Sequence, residues 1–170
     1  MPTKKRRRRK KKHYKTGTYK SPKCKTPIEY RSGWELEVAK YLDLDPQVQE
    51  YGYECLAIEY VSNTRTKKVR SYYPDFLITY KDGSRKLAEV KRKDKLNDPL
   101  VIKKAKAAEE WCAKQNPKIV YEFWTNTMIE AFRKINEAAE MTQKPVISET
   151  LKQKVKTQVR KRRKPKESSK

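Results

Sequence analysis

Histidine is almost absent from this 170-residue chain, and the single one, His13, lies inside a run of lysines and arginines. A histidine-rich metal site is therefore excluded, and Ser–His–Asp chemistry has no candidate base outside that run. Cysteine is scarce as well. Cys24, Cys55 and Cys112 are odd in number, widely spaced and without a Cys-X-X-Cys, which fits free thiols in a reducing compartment rather than a disulfide framework or a zinc site. There is no long apolar run, so no transmembrane helix is expected, and the N-terminus has no apolar secretory segment. No internal repeat is present. Any hydrolytic chemistry must rest on carboxylates and lysine.

What the chain does have is positive charge, a formal +23, and its placement is informative. Met1 to Lys25 holds 13 Lys/Arg and no acid, and residues 144–170 hold 11 Lys/Arg against Glu149 and Glu167. Positions 26–143 keep 20 basic and 19 acidic residues, so the middle is nearly neutral between polycationic ends. The expected organisation is a basic arm over 1–25, one folded domain over 26–143 and a second basic arm over 144–170. Such arms cannot bury enough apolar surface to fold alone. The run Lys4, Lys5, Arg6, Arg7, Arg8, Arg9, Lys10, Lys11, Lys12 and the cluster Arg160, Lys161, Arg162, Arg163, Lys164 are candidate nucleic-acid contacts. Counterion release makes a polyanion their natural partner. Few aromatic or apolar residues accompany them, which argues against membrane binding.

Between the arms, SGWELEVAKYLDLD (Ser32 to Asp45) has the apolar spacing of a helix, with Ser32 as N-cap. CLAIEYV (Cys55 to Val61), YYPDFLITY and SRKLAEVK read as strands, with NTRTKKVR (Asn63 to Arg70) as a polar connection. Asn97-Asp98-Pro99 opens a helix running to about Gln115, with Leu100, Ala107, Ala108 and Trp111 on one face. IVYEFW (Ile119 to Trp124) is a fourth strand. A last helix follows a Thr127-X-X-Glu130 capping box and carries a Met128, Phe132, Ile135, Ala139 stripe. Hairpin-linked strands followed by a strand–helix–strand crossover predict an α/β fold with a mixed central sheet flanked by helices.

The hairpin YYPDFLITYKDGSRKLAEVK bears directly on chemistry. A two-residue Asp82-Gly83 loop would place Asp75 and Glu89 on opposite faces. A three-residue Lys81-Asp82-Gly83 loop, with Gly83 in the left-handed conformation, would pair Tyr80 with Ser84 and Asp75 with Glu89. Lys91 would then share their face. Two carboxylates so close repel unless a cation lies between them or one keeps its proton. Mg²⁺ or Mn²⁺ suits such oxygen ligands, and a nearby lysine can orient water or stabilise charge on a phosphate. The plain alternative is a cross-strand charge pair on a solvated face. Glu35 completes a Ser32-X-X-Glu35 capping box yet lies on the Val38, Ala39, Leu42 face, where a carboxylate needs a partner. Glu37 is the alternative acid on that helix.

Pro74-Asp75 followed by Glu89-Val90-Lys91 on the next strand resembles the PD-(D/E)XK nuclease signature of the restriction-endonuclease-like fold. YRSGWELEVAKYLDLDPQV, YPDFLI and EVK, with the later AAEEWC, are similar to TnsA-type transposon endonucleases and to the head-completion nucleases of T4-type phages. This resemblance covers roughly Tyr30 to Trp124 and implies an α-β-β-β-α-β-α core. It also implies a Mg²⁺-dependent DNA endonuclease, with Mn²⁺ able to substitute and no small-molecule cofactor. Glu35, Asp75 and Glu89 would form the acidic metal site, with Lys91 as catalytic lysine. TnsA-type enzymes can carry Gln in place of Glu89, so that ligand is the less secure transfer. Lys103 and Lys104 are candidates for a phosphate contact no better than ordinary solvated lysines. The implied setting is the host cytoplasm or the virion, with DNA and phage portal or neck proteins as partners and no membrane. The rival readings are a non-catalytic DNA-binding virion-assembly protein, a junction-resolving or transposon nuclease on the same fold, and a nuclear or ribosome-associated RNA binder.

Overall fold

The computed structural model describes residues 15–143. The chain divides into two compact units, Met1–Glu137 and Ala138–Lys170. All sheets, the first two helices and the site belong to the first, and only the end of the last helix, among described residues, belongs to the second. No helix among the described residues is long and apolar enough to cross a membrane.

The element order is β1 (Gly17–Tyr19), β2 (Ile28–Tyr30), α1 (Gly33–Leu44), β3 (Val48–Tyr53), β4 (Ile58–Asn63), β5 (Lys68–Tyr72), β6 (Phe76–Tyr80), β7 (Arg85–Val90), α2 (Pro99–Ala113), β8 (Ile119–Trp124) and α3 (Asn126–Gln143), with a 3₁₀ turn at Lys93–Lys95. The central sheet has the order β3-β6-β7-β8, antiparallel except for the β7–β8 pair, which the α2 crossover makes parallel. It is a mixed sheet with helices packed against it, the architecture of the restriction-endonuclease-like class.

Period-2 alternation along the strands divides two apolar clusters between the sheet's faces. Val38, Ala39 and Leu42 of α1 and Ile129 and Phe132 of α3 pack with Phe76, Ile78, Ala88 and Trp124. On the other face Ala108 and Cys112 of α2 pack with Leu87, Ile119 and the β4–β5 residues Ile58, Tyr60 and Tyr72. Each cluster holds fully buried Leu, Ile or Phe side chains, each contributing roughly 1.5–3 kcal/mol of transfer free energy.

Several expectations need correction. The strand edging the central sheet on the β6 side is β3, which had no strand assignment, whereas Ile58–Asn63 pairs with Lys68–Tyr72 in a separate two-stranded sheet. The Asn63–Arg70 connection is therefore largely strand and turn. Its outer residues are solvated, so no alternation announces it. In α2 the buried residues are Ala105, Ala108 and Cys112, and Leu100 is exposed. Helix α3 begins at Asn126, ahead of the expected capping box, and buries Ile129, Phe132 and Asn136 while Ile135 faces solvent.

Residues 15–25, assigned by composition to the basic arm, contribute β1 and three anchors to α1. The hydroxyls of Tyr19 and Ser21 donate to the Asp43 carboxylate at 2.7 and 2.6 Å. Lys23 donates its ammonium to the Leu42 and Asp45 carbonyls, where the negative end of the helix dipole favours a cation.

Candidate active site

The β6–β7 turn sets the site. Tyr80 N–H donates to the Ser84 carbonyl at 2.9 Å and Gly83 N–H to the Tyr80 carbonyl at 3.0 Å, closing a three-residue loop. Gly83 has φ +82°, a conformation in which a side chain would be strained. Asp82 fastens the far side by accepting from both Ser84 N–H and Ser84 Oγ. The ladder then runs Thr79–Arg85, Ile78–Lys86, Leu77–Leu87 and Phe76–Ala88. One step further, Asp75 stands across from Glu89, on the face of Leu77 and Leu87, and Lys91 follows Glu89 on that face.

Glu89 is buried and Asp75 is half-buried. Glu89 is only 5% exposed, in a fold whose buried polar side chains among described residues are few. Its Oε1 lies 2.9 Å from Lys91 Nζ, and its Oε2 accepts from the Tyr72 hydroxyl at 2.7 Å. Asp75 Oδ2 accepts Val90 N–H at 2.7 Å. Burial, and next the Glu89 charge, hold Asp75 well above the usual carboxylate range, although Val90 N–H and Lys91 pull the other way. For Lys91, burial favours the neutral amine, but Glu89 foremost, then Asp75 and Glu35, outweigh it and raise the pKa. Lys91 is therefore a fixed cation at neutral pH.

Glu35 meets the site from another direction. It sits at the start of α1, above the end of the sheet, and accepts from Tyr53 OH at 2.6 Å, Ser32 Oγ at 2.7 Å and Arg31 N–H at 2.8 Å. The capping role and the buried-face role coexist, since Ser32 Oγ also accepts Glu35 N–H. Its charge is felt by both Asp75 and Lys91. Glu37 is taken up elsewhere, accepting from Asn136 Nδ2 of α3 at 2.9 Å.

Among the described residues no group of three or more His, Cys, Asp or Glu side chains converges as a metal cage. The donor set is a carboxylate pair, Asp75 and Glu89, with Glu35 held at its own three donors. A repelling oxygen pair of this kind fits Mg²⁺ or Mn²⁺, which take one or two carboxylates and keep several waters.

The site opens into a cleft of about 1090 Å³ lined by Glu35, Val90 and Lys91, and rimmed by Lys15, Lys93, Lys95 and the ion pair of Arg92 with Asp94. Asn126 ties this rim to α3 by accepting Lys93 N–H. Sequence reasoning missed Tyr72, Tyr53 and this rim, because neither a buried hydroxyl nor a scattered lysine has a spacing signature. Lys103 and Lys104 are not simply solvated: Lys103 donates to the Ser62 carbonyl, and Lys104 Nζ lies 5.0 Å from the Tyr72 ring centre. The runs Lys4–Lys12 and Arg160–Lys164 lie outside the described residues.

Fold and site together describe a mixed α/β domain that holds two carboxylates and a lysine beside a cleft. Residues 45–124 match the family of the TnsA-like endonuclease N terminal. The chain is also 33% identical over 73 residues to the head completion nuclease of Enterobacteria phage T4, an alignment spanning 43% of this chain and 48% of the T4 protein. Both are similarities of part of the chain, which spans about half the length of the T4 protein it matches. The family match includes Asp75, Glu89 and Lys91 and stops short of Glu35.

Proposed function

We propose that the chain is a divalent-metal-dependent DNA endonuclease. The observation that carries this reading is the half-buried Asp75 set against the buried Glu89, with Lys91 paired to Glu89 and lining a lysine-rimmed cleft. Asp75 and Glu89 would hold Mg²⁺ or Mn²⁺, the ions usual for nucleases of this kind. Glu35, already engaged by three donors, would contribute through water. When bound, the metal would supply charge neutralisation at the scissile phosphate and a more acidic water.

The chain's own residues supply the rest. Lys91, kept charged by its acidic neighbours, would orient the attacking water and stabilise negative charge growing on the phosphate. Lys15, Lys93 and Lys95 on the cleft rim would hold the DNA backbone by phosphate contacts that position without reading sequence. The arms over 1–25 and 144–170 would add a sequence-independent, salt-sensitive grip.

The finer reading is a head-completion role in a phage, with action on packaged DNA ends and contact with portal or neck proteins, in the host cytoplasm or the virion. Similarity to the T4 protein supports it. The TnsA-like match favours one alternative, a nuclease that cuts only with a transposition partner.

Cleavage of supercoiled plasmid with Mg²⁺ or Mn²⁺ tests the central reading. Metal-dependent nicking by the wild type, lost in Asp75→Asn and Lys91→Ala while DNA binding is kept, is the expected result. A folded, DNA-binding wild type that never cuts, alone or with a partner, would shift the reading to a non-catalytic assembly protein.

A further inference from the structure

We infer that Tyr72 and Tyr121 form a directed hydroxyl relay that positions Glu89, so that this carboxylate offers the site a single oxygen, Oε1. The inference rests on the nuclease reading above.

Glu89 is held from two sides. Its Oε1 meets Lys91 Nζ at the cleft, and its Oε2 is turned back to Tyr72 OH, a residue only 3% exposed. Tyr72 is the last residue of β5, so it comes from the two-stranded β4–β5 sheet rather than from the strands that carry Asp75 and Glu89. Its hydroxyl also lies 3.3 Å from Tyr121 OH of β8. Proton counting fixes the direction of this contact. A phenol has one proton, and a carboxylate can only accept, so Tyr72 spends its proton on Glu89. Tyr121 must then be the donor to Tyr72, giving the sequence Tyr121 to Tyr72 to Glu89.

Tyr72 is itself locked. Its ring packs with Ile58, Leu87 and Ala108, and Lys104 Nζ approaches its face at 5.0 Å. A hydrogen bond to the back oxygen of a ligating carboxylate fixes its rotation and leaves one lone-pair edge for the metal. Partners of this sort usually matter about 10–100-fold in metal affinity or activity. Tyr72 is therefore a positioning residue, acting through Glu89 without touching substrate.

The test is calorimetric Mn²⁺ binding, with no DNA present, to the full chain and to Tyr72→Phe, Tyr121→Phe and Glu89→Gln, alongside plasmid cleavage at rising Mn²⁺. The expected outcome is about tenfold or more weaker Mn²⁺ binding in Tyr72→Phe and a smaller loss in Tyr121→Phe. Cleavage by Tyr72→Phe should recover in part at high Mn²⁺. In a double-mutant cycle, Tyr72→Phe should cost nothing further once Glu89→Gln is present. If Tyr72→Phe does not fold, Tyr121→Phe carries the test, since it removes the donor that orients Tyr72. Wild-type Mn²⁺ binding left unchanged in the folded phenylalanine variants overturns the relay alone. A wild type that binds no Mn²⁺ overturns the nuclease reading and the relay together.

Discussion

Two hairpins of this chain have similar local chemistry and opposite fates. In β6–β7, tight-turn residues join two strands that lie within the central sheet, and at its open end the half-buried Asp75 and Lys91 meet the buried Glu89. In β4–β5, the strands stand outside that sheet. Arg65, Lys67, Lys68 and Arg70 all face solvent there, and only one face, through Ile58, Tyr60 and Tyr72, reaches the core. The difference shows that charge becomes chemistry through burial. Asp75 is perturbed because water is excluded and Glu89 stands opposite, whereas the basic residues of β4–β5 are screened by solvent.

The largest expected effect separates the hairpins by activity. Lys91→Ala should reduce the rate of plasmid cleavage by about 10²–10³, the scale for losing one preorganised electrostatic group. Asp75→Asn should do at least as much damage. Replacing Arg65 and Lys67 together with Ala should leave the single-turnover rate at saturating protein within about twofold and act only on DNA binding and its salt dependence. A loss of single-turnover rate matching that of Lys91→Ala would break the distinction.

Next in size is the turn. Gly83→Ala forces a methyl-bearing residue into φ +82° and should cost about 1–2 kcal/mol in denaturant unfolding. No neighbouring atom lies near enough to obstruct the added methyl, so the cost is conformational alone. Cleavage per folded molecule should be unchanged, because the register that opposes Asp75 to Glu89 is fixed by five buried strand residues as well. An altered rate would show that the turn alone sets the register.

This is also where the sequence was most legible. Lys81-Asp82-Gly83 contains the glycine that a three-residue loop demands, and counting back from it brings Asp75 opposite Glu89. Ile119–Trp124, a dense β-branched and aromatic run, was likewise readable with its bounds. What could not be read shares one physical cause: partners distant in sequence. Val48–Tyr53 becomes an edge strand because β6 is available to pair with it, and residues 17–23 fold because Asp43 and the end of α1 accept their donors. In α3 the buried stripe is rotated from the expected one because Asn136 turns inward to meet Glu37. Tyr72 looked like one more strand tyrosine, since its hydroxyl's partner lies 17 residues away.

A smaller effect concerns stability rather than rate. Asp75→Asn removes one of two repelling carboxylates and keeps an oxygen for Val90 N–H, so in metal-free buffer the variant should be more stable than the wild type by about 1 kcal/mol, the common size of gain at a strained functional site. The folded pKa of Asp75 is raised, so the wild type favours its protonated form on folding. Its deficit against the variant should be fully developed at pH values above that raised pKa and should close as the pH falls through it. Comparing the two melting curves across pH removes the titrating groups that lie away from Asp75, Glu89 and Lys91. A constant gap, or a less stable variant, would mean that Asp75 and Glu89 do not repel.

The smallest effect lies on the outer face of β4–β5. Val61 and Val69 are paired across the strands and are 44% and 52% exposed. Val69→Thr keeps the β-branched shape and adds a hydroxyl where water can reach it, so the change in unfolding free energy should stay within about 0.5 kcal/mol. On the buried face of the other hairpin, Ile78→Thr, at a fully buried position in the cluster with the α1 and α3 side chains, would bury an unpartnered hydroxyl and delete packing, at a cost of several times that. Equal costs at the two positions would require that the outer face of β4–β5 be covered in solution, and concentration-dependent melting of Val69→Thr would identify self-association as the cover.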